Sequence, residues 1–128
     1  MMNFKLGQRS LKNLQGVHPD LVRVVHRAIE LTPTDFVITE GLRTKKRQAE
    51  LVAAGASKTM NSRHLTGHAI DFAPWVAGTV RWDWPLFPPI AKAFKDAAAE
   101  HGVQIVWGGD WVKFRDGPHV ELDRKVYT

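Results

Sequence analysis

The 128-residue chain contains no cysteine. That excludes a disulfide scaffold, a thiolate zinc finger and a cysteine nucleophile. The chain also lacks any apolar run of about 18 residues, so no segment reads as a membrane span, and its N-terminal stretch holds no signal-peptide core. Synthesis in the cytosol without a signal peptide is therefore expected, with any route outward supplied by something else. Internal repeats, linkers and low-complexity tracts are missing too. With 44% hydrophobic and 24% charged residues, the composition is that of a folded globular chain and not of a disordered one. The length suits one domain of the usual ~100–150 residues, large enough to bury a core without covalent staples. Charge is not strongly one-sided: 18 Lys+Arg stand against 13 Asp+Glu, for a net +5. This surplus invites an anionic partner such as nucleic acid. The charges are scattered, however, and the densest cluster, Arg43-Thr44-Lys45-Lys46-Arg47, reads as a solvated helix face.

What is present alternates between helical and strand patterns. Residues 18–31 read as a helix, with Pro19 in its first turn and Leu21, Val25, Ala28 and Ile29 on one stripe; Thr32-Pro33 stops it. Residues 35–40 are short and β-branched, with Phe36 and Ile38 on one face, which predicts a strand. Thr44 is placed to cap a helix over 45–54 that Gly55 ends, with Ala49, Val52 and Ala53 facing the core. Residues 56–67 read as an ordered loop, 69–72 as a strand, and 74–84, with Trp75, Trp82 and Trp84, as a loop or hairpin. A third helix follows Pro88-Pro89, buries Ile90, Ala91, Phe94, Ala97 and Ala98, and stops at Gly102. A strand at 103–107, a turn at 108–110, a short strand at 111–114 and a final strand at 119–122 complete the pattern. The sum is an α+β fold, with about three helices packed on a small and mainly antiparallel sheet.

Two segments concentrate imidazoles and carboxylates beside turn residues. One is Ser62-Arg63-His64-Leu65-Thr66-Gly67-His68-Ala69-Ile70-Asp71. The other is Asp116-Gly117-Pro118-His119-Val120-Glu121. A catalytic zinc site needs three N or O ligands and an open position for water, and His64, Asp71 and His119 meet that count. Asp116, across a Gly-Pro turn from His119, would be a carboxylate near the metal without being a ligand, which is where a general base belongs. The spacing is not that of the helical His-Glu-x-x-His proteases. On spacing alone, both histidines serve equally well as ordinary polar residues near turns.

The pattern Ser-x-His-x-x-x-Gly-x-Ala-x-Asp (Ser62, His64, Gly67, Ala69, Asp71), followed by Asp-x-x-His (Asp116, His119), resembles a zinc peptidase family. That family includes D-alanyl-D-alanine carboxypeptidases and dipeptidases and phage L-alanyl-D-glutamate endopeptidases. Glu40-Gly41-Leu42-Arg43-Thr44 resembles its segment with a substrate-binding arginine, and Trp107-Gly108-Gly109-Asp110-Trp111 resembles a run in its endolysin branch. The opening from Ser10-Leu11 to His18-Pro19-Asp20-Leu21 is also similar, so the resemblance spans almost the whole chain.

The resemblance implies a hedgehog/D-Ala-D-Ala-peptidase-like fold with zinc on His64, Asp71 and His119. Asp116 would be the general base and then the acid, and Arg43 would sit near the scissile carbonyl or a substrate carboxylate. Asp116 stands where many carboxypeptidase relatives carry glutamate, which tilts the substrate toward the L-Ala–D-Glu bond of the peptidoglycan stem peptide. Residues 1–128 would then be a monomeric zinc peptidase catalytic domain with no separate wall-binding domain and no nucleic-acid partner. Such an endolysin would reach the wall after release during phage lysis, drawn there by its positive charge. Ser62 resembles a substrate-contacting serine, although local turn bonding explains it as well. Glu121, two residues after His119, either orients that ligand or lines the cleft. Trp107 and Trp111 are candidates for the cleft wall, with one of the two expected to be buried. His68 should point away from the metal, and His18, His26 and His101 read as ordinary helix-associated residues. Two rivals remain: a D,D- or L,D-carboxypeptidase of the same family, and a non-catalytic zinc or nucleic-acid-binding module.

Overall fold

A computed structural model describes residues 4–57 and 59–128. Among these residues, four α-helices, α1 (Gln8–Asn13), α2 (Pro19–Leu31), α3 (Lys45–Ala53) and α4 (Phe87–His101), accompany five strands. The strands are β1 (Phe36–Glu40), β2 (Ala69–Val76), β3 (Thr79–Val80), β4 (Ile105–Trp107) and β5 (His119–Leu122). They pair antiparallel in the order β1-β2-β5-β4, with β3 attached to β2.

Period-two alternation decides which face of this sheet is core. Phe36, Ile38, Ile70, Phe72, Val120 and Leu122 are buried on one side, against Leu21, Val24, Val25, Ala28 and Ile29 of α2 and Ile90, Phe94, Ala97 and Ala98 of α4. Phe36, Phe72 and Phe94 form an aromatic centre with ring centroids 5.0–6.0 Å apart. The helices start and stop where their capping residues stand. His18 caps α2 by accepting from the Asp20 N–H, Thr44 caps α3 by accepting from the Arg47 N–H, and Gly102 ends α4 in the left-handed conformation. His101 is the last residue of α4, where a basic group suits the helix dipole.

Several boundaries differ from the sequence expectation. α1 is an additional helix of one and a half turns, too short to show a period; it is anchored by tertiary contact, the buried Ser10 Oγ accepting from the Ile38 N–H at 2.9 Å. The 56–67 loop contains a 3-10 turn at Arg63–Thr66, and 108–110 is another. Residues 74–84 do form a hairpin: β2 continues to Val76 and turns back at Ala77-Gly78, both with positive φ, the backbone a tight two-residue hairpin requires. The strand expected at 103–107 is confined to 105–107, and 111–114 is not a strand. Among the described residues it joins no ladder of the sheet, and Val112 and Phe114 are exposed. Helix α3 buries Gln48, not Ala49, Val52 and Ala53. Gln48 belongs to a polar network described below, whereas no apolar layer covers the alanines.

Candidate metal centre and cleft

β2 and β5 place Asp71 directly opposite His119. Ile70, Phe72, Val120 and Leu122 point into the core, so Asp71, His119 and Glu121 project from the other face. His64 arrives from the 3-10 turn Arg63–Thr66. Ser62 caps this turn, its Oγ accepting from the His64 N–H at 3.2 Å, and Gly67 closes it with φ +75. Only glycine fits there, because a Cβ would lie 2.5 Å from the Gly16 carbonyl oxygen. The bend brings His64 Nε2 to 3.2 Å from Asp71 Oδ1, and His119 Nδ1 stands 3.4 Å from the same oxygen.

The outer nitrogens decide what this triangle can hold. His64 Nδ1 lies 2.8 Å from the Gly41 carbonyl oxygen, and His119 Nε2 lies 2.8 Å from Glu121 Oε1. Both oxygens only accept, so each outer nitrogen carries the proton. In the neutral rings His64 Nε2 and His119 Nδ1 are then lone pairs, aimed together at a carboxylate oxygen. With both rings neutral these three acceptors converge within 4.8 Å of one another, an arrangement a cation satisfies. Tetrahedral bonds of 2.0–2.1 Å set ligand atoms about 3.3 Å apart, which matches the two observed separations. The donor set therefore fits a metal ion.

Titration behaviour reflects the same geometry. Burial would raise the Asp71 carboxyl, but hydrogen bonds and charge from His119 and His64 outweigh it and hold Asp71 well below the usual carboxylate range. Burial lowers His119, yet Asp71 and Glu121 on its two nitrogens push it up to about 9. In the metal-free chain a proton thus occupies the position a cation would take. His119 is raised above its unfolded value, so its contribution to stability is full below pH ~6.5 and is lost as pH rises through about 9. Between those limits, metal uptake must expel that proton. Zinc titration calorimetry near pH 7.5, repeated in buffers of different ionisation enthalpy, should report close to one proton released per ion from this residue. Heats that do not vary with the buffer would contradict the assignment.

A cleft of about 720 Å³ opens over the triangle, and Arg43, Ser62, Trp111, Asp116 and Glu121 also line it. Asp116 is fixed through its backbone: its N–H donates to the Gly108 carbonyl and its own carbonyl accepts from the His119 N–H. Burial, followed by the Asp71 charge, raises its carboxyl above the ordinary value, although His119, His64 and Arg43 oppose the shift. Glu121 is also buried, but the His119 hydrogen bond and charge, together with Arg124, bring it below its ordinary value. It is thus an ionised acceptor behind His119.

Arg43 is buried and already engaged. Its Nε and Nη2 each donate to Glu40 at 2.7 Å, Nη1 donates to Gln48 Oε1 at 2.6 Å, and Nη2 lies 3.7 Å from Asp71 Oδ2. Trp107, expected on the cleft wall, is buried and donates from Nε1 to the Gly117 carbonyl at 2.7 Å, bracing the turn between Asp116 and His119. Trp111 is the tryptophan on the cleft, its ring 5.1 Å from that of His119. His68 turns aside, its ring 5.5 Å from His18 and its Nδ1 2.7 Å from Thr66 Oγ1. Sequence reasoning missed the Gly41 carbonyl and Gln48. The carbonyl has no side-chain signature, and a buried glutamine shows itself only through its partners.

The profile of the family described as phage L-alanyl-D-glutamate peptidase matches residues 2–127. The L-alanyl-D-glutamate peptidase of Escherichia phage T5 is 42% identical over 130 residues, covering 98% of this chain and 94% of that protein. Among solved structures, the Serratia marcescens L-Ala D-Glu endopeptidase ChiX superposes with a TM-score of 0.92 at 46% identity, covering 98% of this chain and 94% of that one. The vancomycin-resistance D,D-dipeptidase VanXYg superposes with a TM-score of 0.54 at 18% identity, over 83% of this chain and 50% of that one, and shares the fold.

Proposed function

The chain belongs to the family of phage L-alanyl-D-glutamate peptidases, and from that membership we infer that it hydrolyses the L-Ala–D-Glu amide of peptidoglycan stem peptides. We propose further that His64, Asp71 and His119 hold a zinc ion and that Asp116 is the general base. The observation that carries this reading is the convergence of two imidazole lone pairs and one carboxylate oxygen, 3.2 and 3.4 Å apart, in the floor of an open cleft. Two imidazoles and one carboxylate suit zinc, and three protein ligands are the number that leaves a position open.

When bound, zinc supplies a Lewis acid that polarises the amide carbonyl and acidifies water. The residues do the rest. An Asp116 carboxylate oxygen takes the proton of the attacking water and passes it to the nitrogen of the departing D-glutamate. The raised carboxyl makes Asp116 a stronger base than an exposed aspartate. A base must be deprotonated to act, so turnover falls as pH drops through that raised value. Glu121 holds the His119 ring in the tautomer that leaves Nδ1 free, and the Gly41 carbonyl does the same for His64. The Glu40–Arg43–Gln48 network holds a cation behind Asp71. It leaves two of the five guanidinium N–H donors for a substrate oxygen. Ser62 contributes its cleft position in addition to its cap.

Replacing Glu121 by glutamine should weaken zinc affinity by about 10–100-fold in a chelator competition, with a smaller change in the rate of the zinc-saturated protein. Unchanged affinity would show that Glu121 does not orient His119. The bond assignment is tested with defined stem peptides ending in D-alanine. Cleavage between L-alanine and D-glutamate is expected; release of terminal D-alanine alone would make the chain a carboxypeptidase.

A further inference from the structure

Two tryptophans next to the cleft have no part in this chemistry. Trp82 is 61% exposed and Trp84 is 42% exposed, a large apolar surface to leave in water. Both stack on the buried Phe87 ring, Trp82 at 6.4 Å and 21°, Trp84 at 6.3 Å and 29°. Trp84 also lies on Trp107 at 5.8 Å and 20°. The near-parallel rings form a stacked aromatic shelf anchored on the core through Phe87 and Trp107, with Trp82 its most exposed ring. This shelf borders the cleft through Trp84. A Cβ on Gly117, the neighbour of Asp116, would come within 3.1 Å of Trp84, and the cleft residue Arg115 has its guanidinium 5.8 Å from the Trp84 ring. An exposed ion pair, Arg81 Nη2 to Asp83 Oδ2 at 2.6 Å, flanks Trp82.

We propose that Trp82 and Trp84 are a subsite for the glycan strand of peptidoglycan, stacking on the sugar that carries the stem peptide. The proposal rests on the L-Ala–D-Glu peptidase reading above. In peptidoglycan the stem L-alanine is joined through a lactyl group to a sugar ring. One residue, about 3.3–3.6 Å of extended chain, and that lactyl group separate the sugar from the scissile amide. An enzyme that cuts this bond in the wall must receive the sugar at the cleft mouth. A pyranose offers a face of C–H groups that packs on an aromatic ring and an edge of hydroxyls that hydrogen-bonds to groups such as Arg81 and Asp83. Among the residues that line the cleft itself, Trp111 and Phe114 carry aromatic rings, and Trp111 lies against the proposed metal ligand His119 at 5.1 Å. The two rings of Trp82 and Trp84 are far less than the ~1,200 Å² a stable dimer buries.

The test uses the zinc-loaded full chain and three probes: a sugar-free stem peptide, the same peptide attached to its disaccharide, and glycan oligosaccharides without peptide. Trp82→Ala should lose about tenfold in kcat/KM on the disaccharide-linked peptide while staying within about twofold on the sugar-free one, the size of one stacking contact. Peptide-free glycan should shift the indole N–H resonances of Trp82 and Trp84 in the wild type. Equal effects of Trp82→Ala on both peptides, or a glycan titration that moves neither resonance, would overturn the proposal. So would a concentration-dependent dimer that Trp82→Ala abolishes, because the shelf would then belong to a second copy. A wild type that cleaves neither peptide would refute the peptidase reading instead, and the glycan titration would still decide the shelf.

Discussion

Asp116→Asn is expected to lower kcat by about 10²- to 10⁴-fold, the usual contribution of a positioned general base, without loss of zinc. Asparagine has nearly the same shape but cannot take a proton from water. The contacts that fix position 116 run through its backbone, to the Gly108 carbonyl and from the His119 N–H, so the turn keeps its geometry. Asp116 is not among the converging ligand atoms, so metal content should not change. The substitution also removes a charge that burial disfavours. Thermal stability near neutral pH should therefore stay level or rise slightly. Kinetics, metal analysis and a melting curve on one preparation separate these effects. An active Asp116→Asn protein would remove the base from the mechanism; an inactive one without zinc would make Asp116 part of the metal centre.

The second large effect concerns the triangle itself. His64→Ala should reduce zinc from one ion per chain to a small fraction and bring turnover to background. Chelation of the wild type should do the same, and added zinc should restore only the wild type. An ion that binds only the folded chain, as proposed, stabilises it, so its removal should also cost stability. Saturation at a thousand times Kd contributes about 4 kcal/mol, so the melting temperature of the chelated protein should fall by about 10–20 °C. His64 is almost fully buried and hydrogen-bonded to Gly41, so some destabilisation of His64→Ala would follow without metal. Restoration of the wild type alone is the discriminating result. A chelated wild type that retains its rate would show that the triangle is not the reacting centre.

The parts of this site that were legible in the sequence rest on period and turn chemistry. Alternation in Ile70-Asp71-Phe72 and in His119-Val120-Glu121-Leu122 puts the polar side chains on one face of paired strands. Gly67 marks the bend that returns His64 to Asp71. Helices α2 and α4 announce themselves through their apolar stripes and through Pro19 and Gly102. The rest depends on partners distant in the chain. Helix α1 is held by a hydrogen bond from Ile38 to Ser10, which six residues cannot foreshadow. Trp111-Val112-Lys113-Phe114 is apolar enough to read as a strand but joins no ladder of the sheet among the described residues, so it becomes an exposed stretch beside the cleft. Gln48 displaces the alanines of α3 from the interior because Arg43 requires an acceptor there. Of the two candidate cleft tryptophans, Trp107 is the buried one, its Nε1 donating to the Gly117 carbonyl, a partner ten residues on that the sequence does not reveal.

The most direct test of zinc-dependent cleavage at L-Ala–D-Glu is mass spectrometry of purified peptidoglycan digested by metal-free protein, with and without added zinc. The predicted result is a pair of products that appears only with zinc: glycan carrying a single L-alanine, and stem peptides with a new N-terminal D-glutamate. Those products in the metal-free digest, or a zinc-dependent digest that releases only terminal D-alanine, would contradict it.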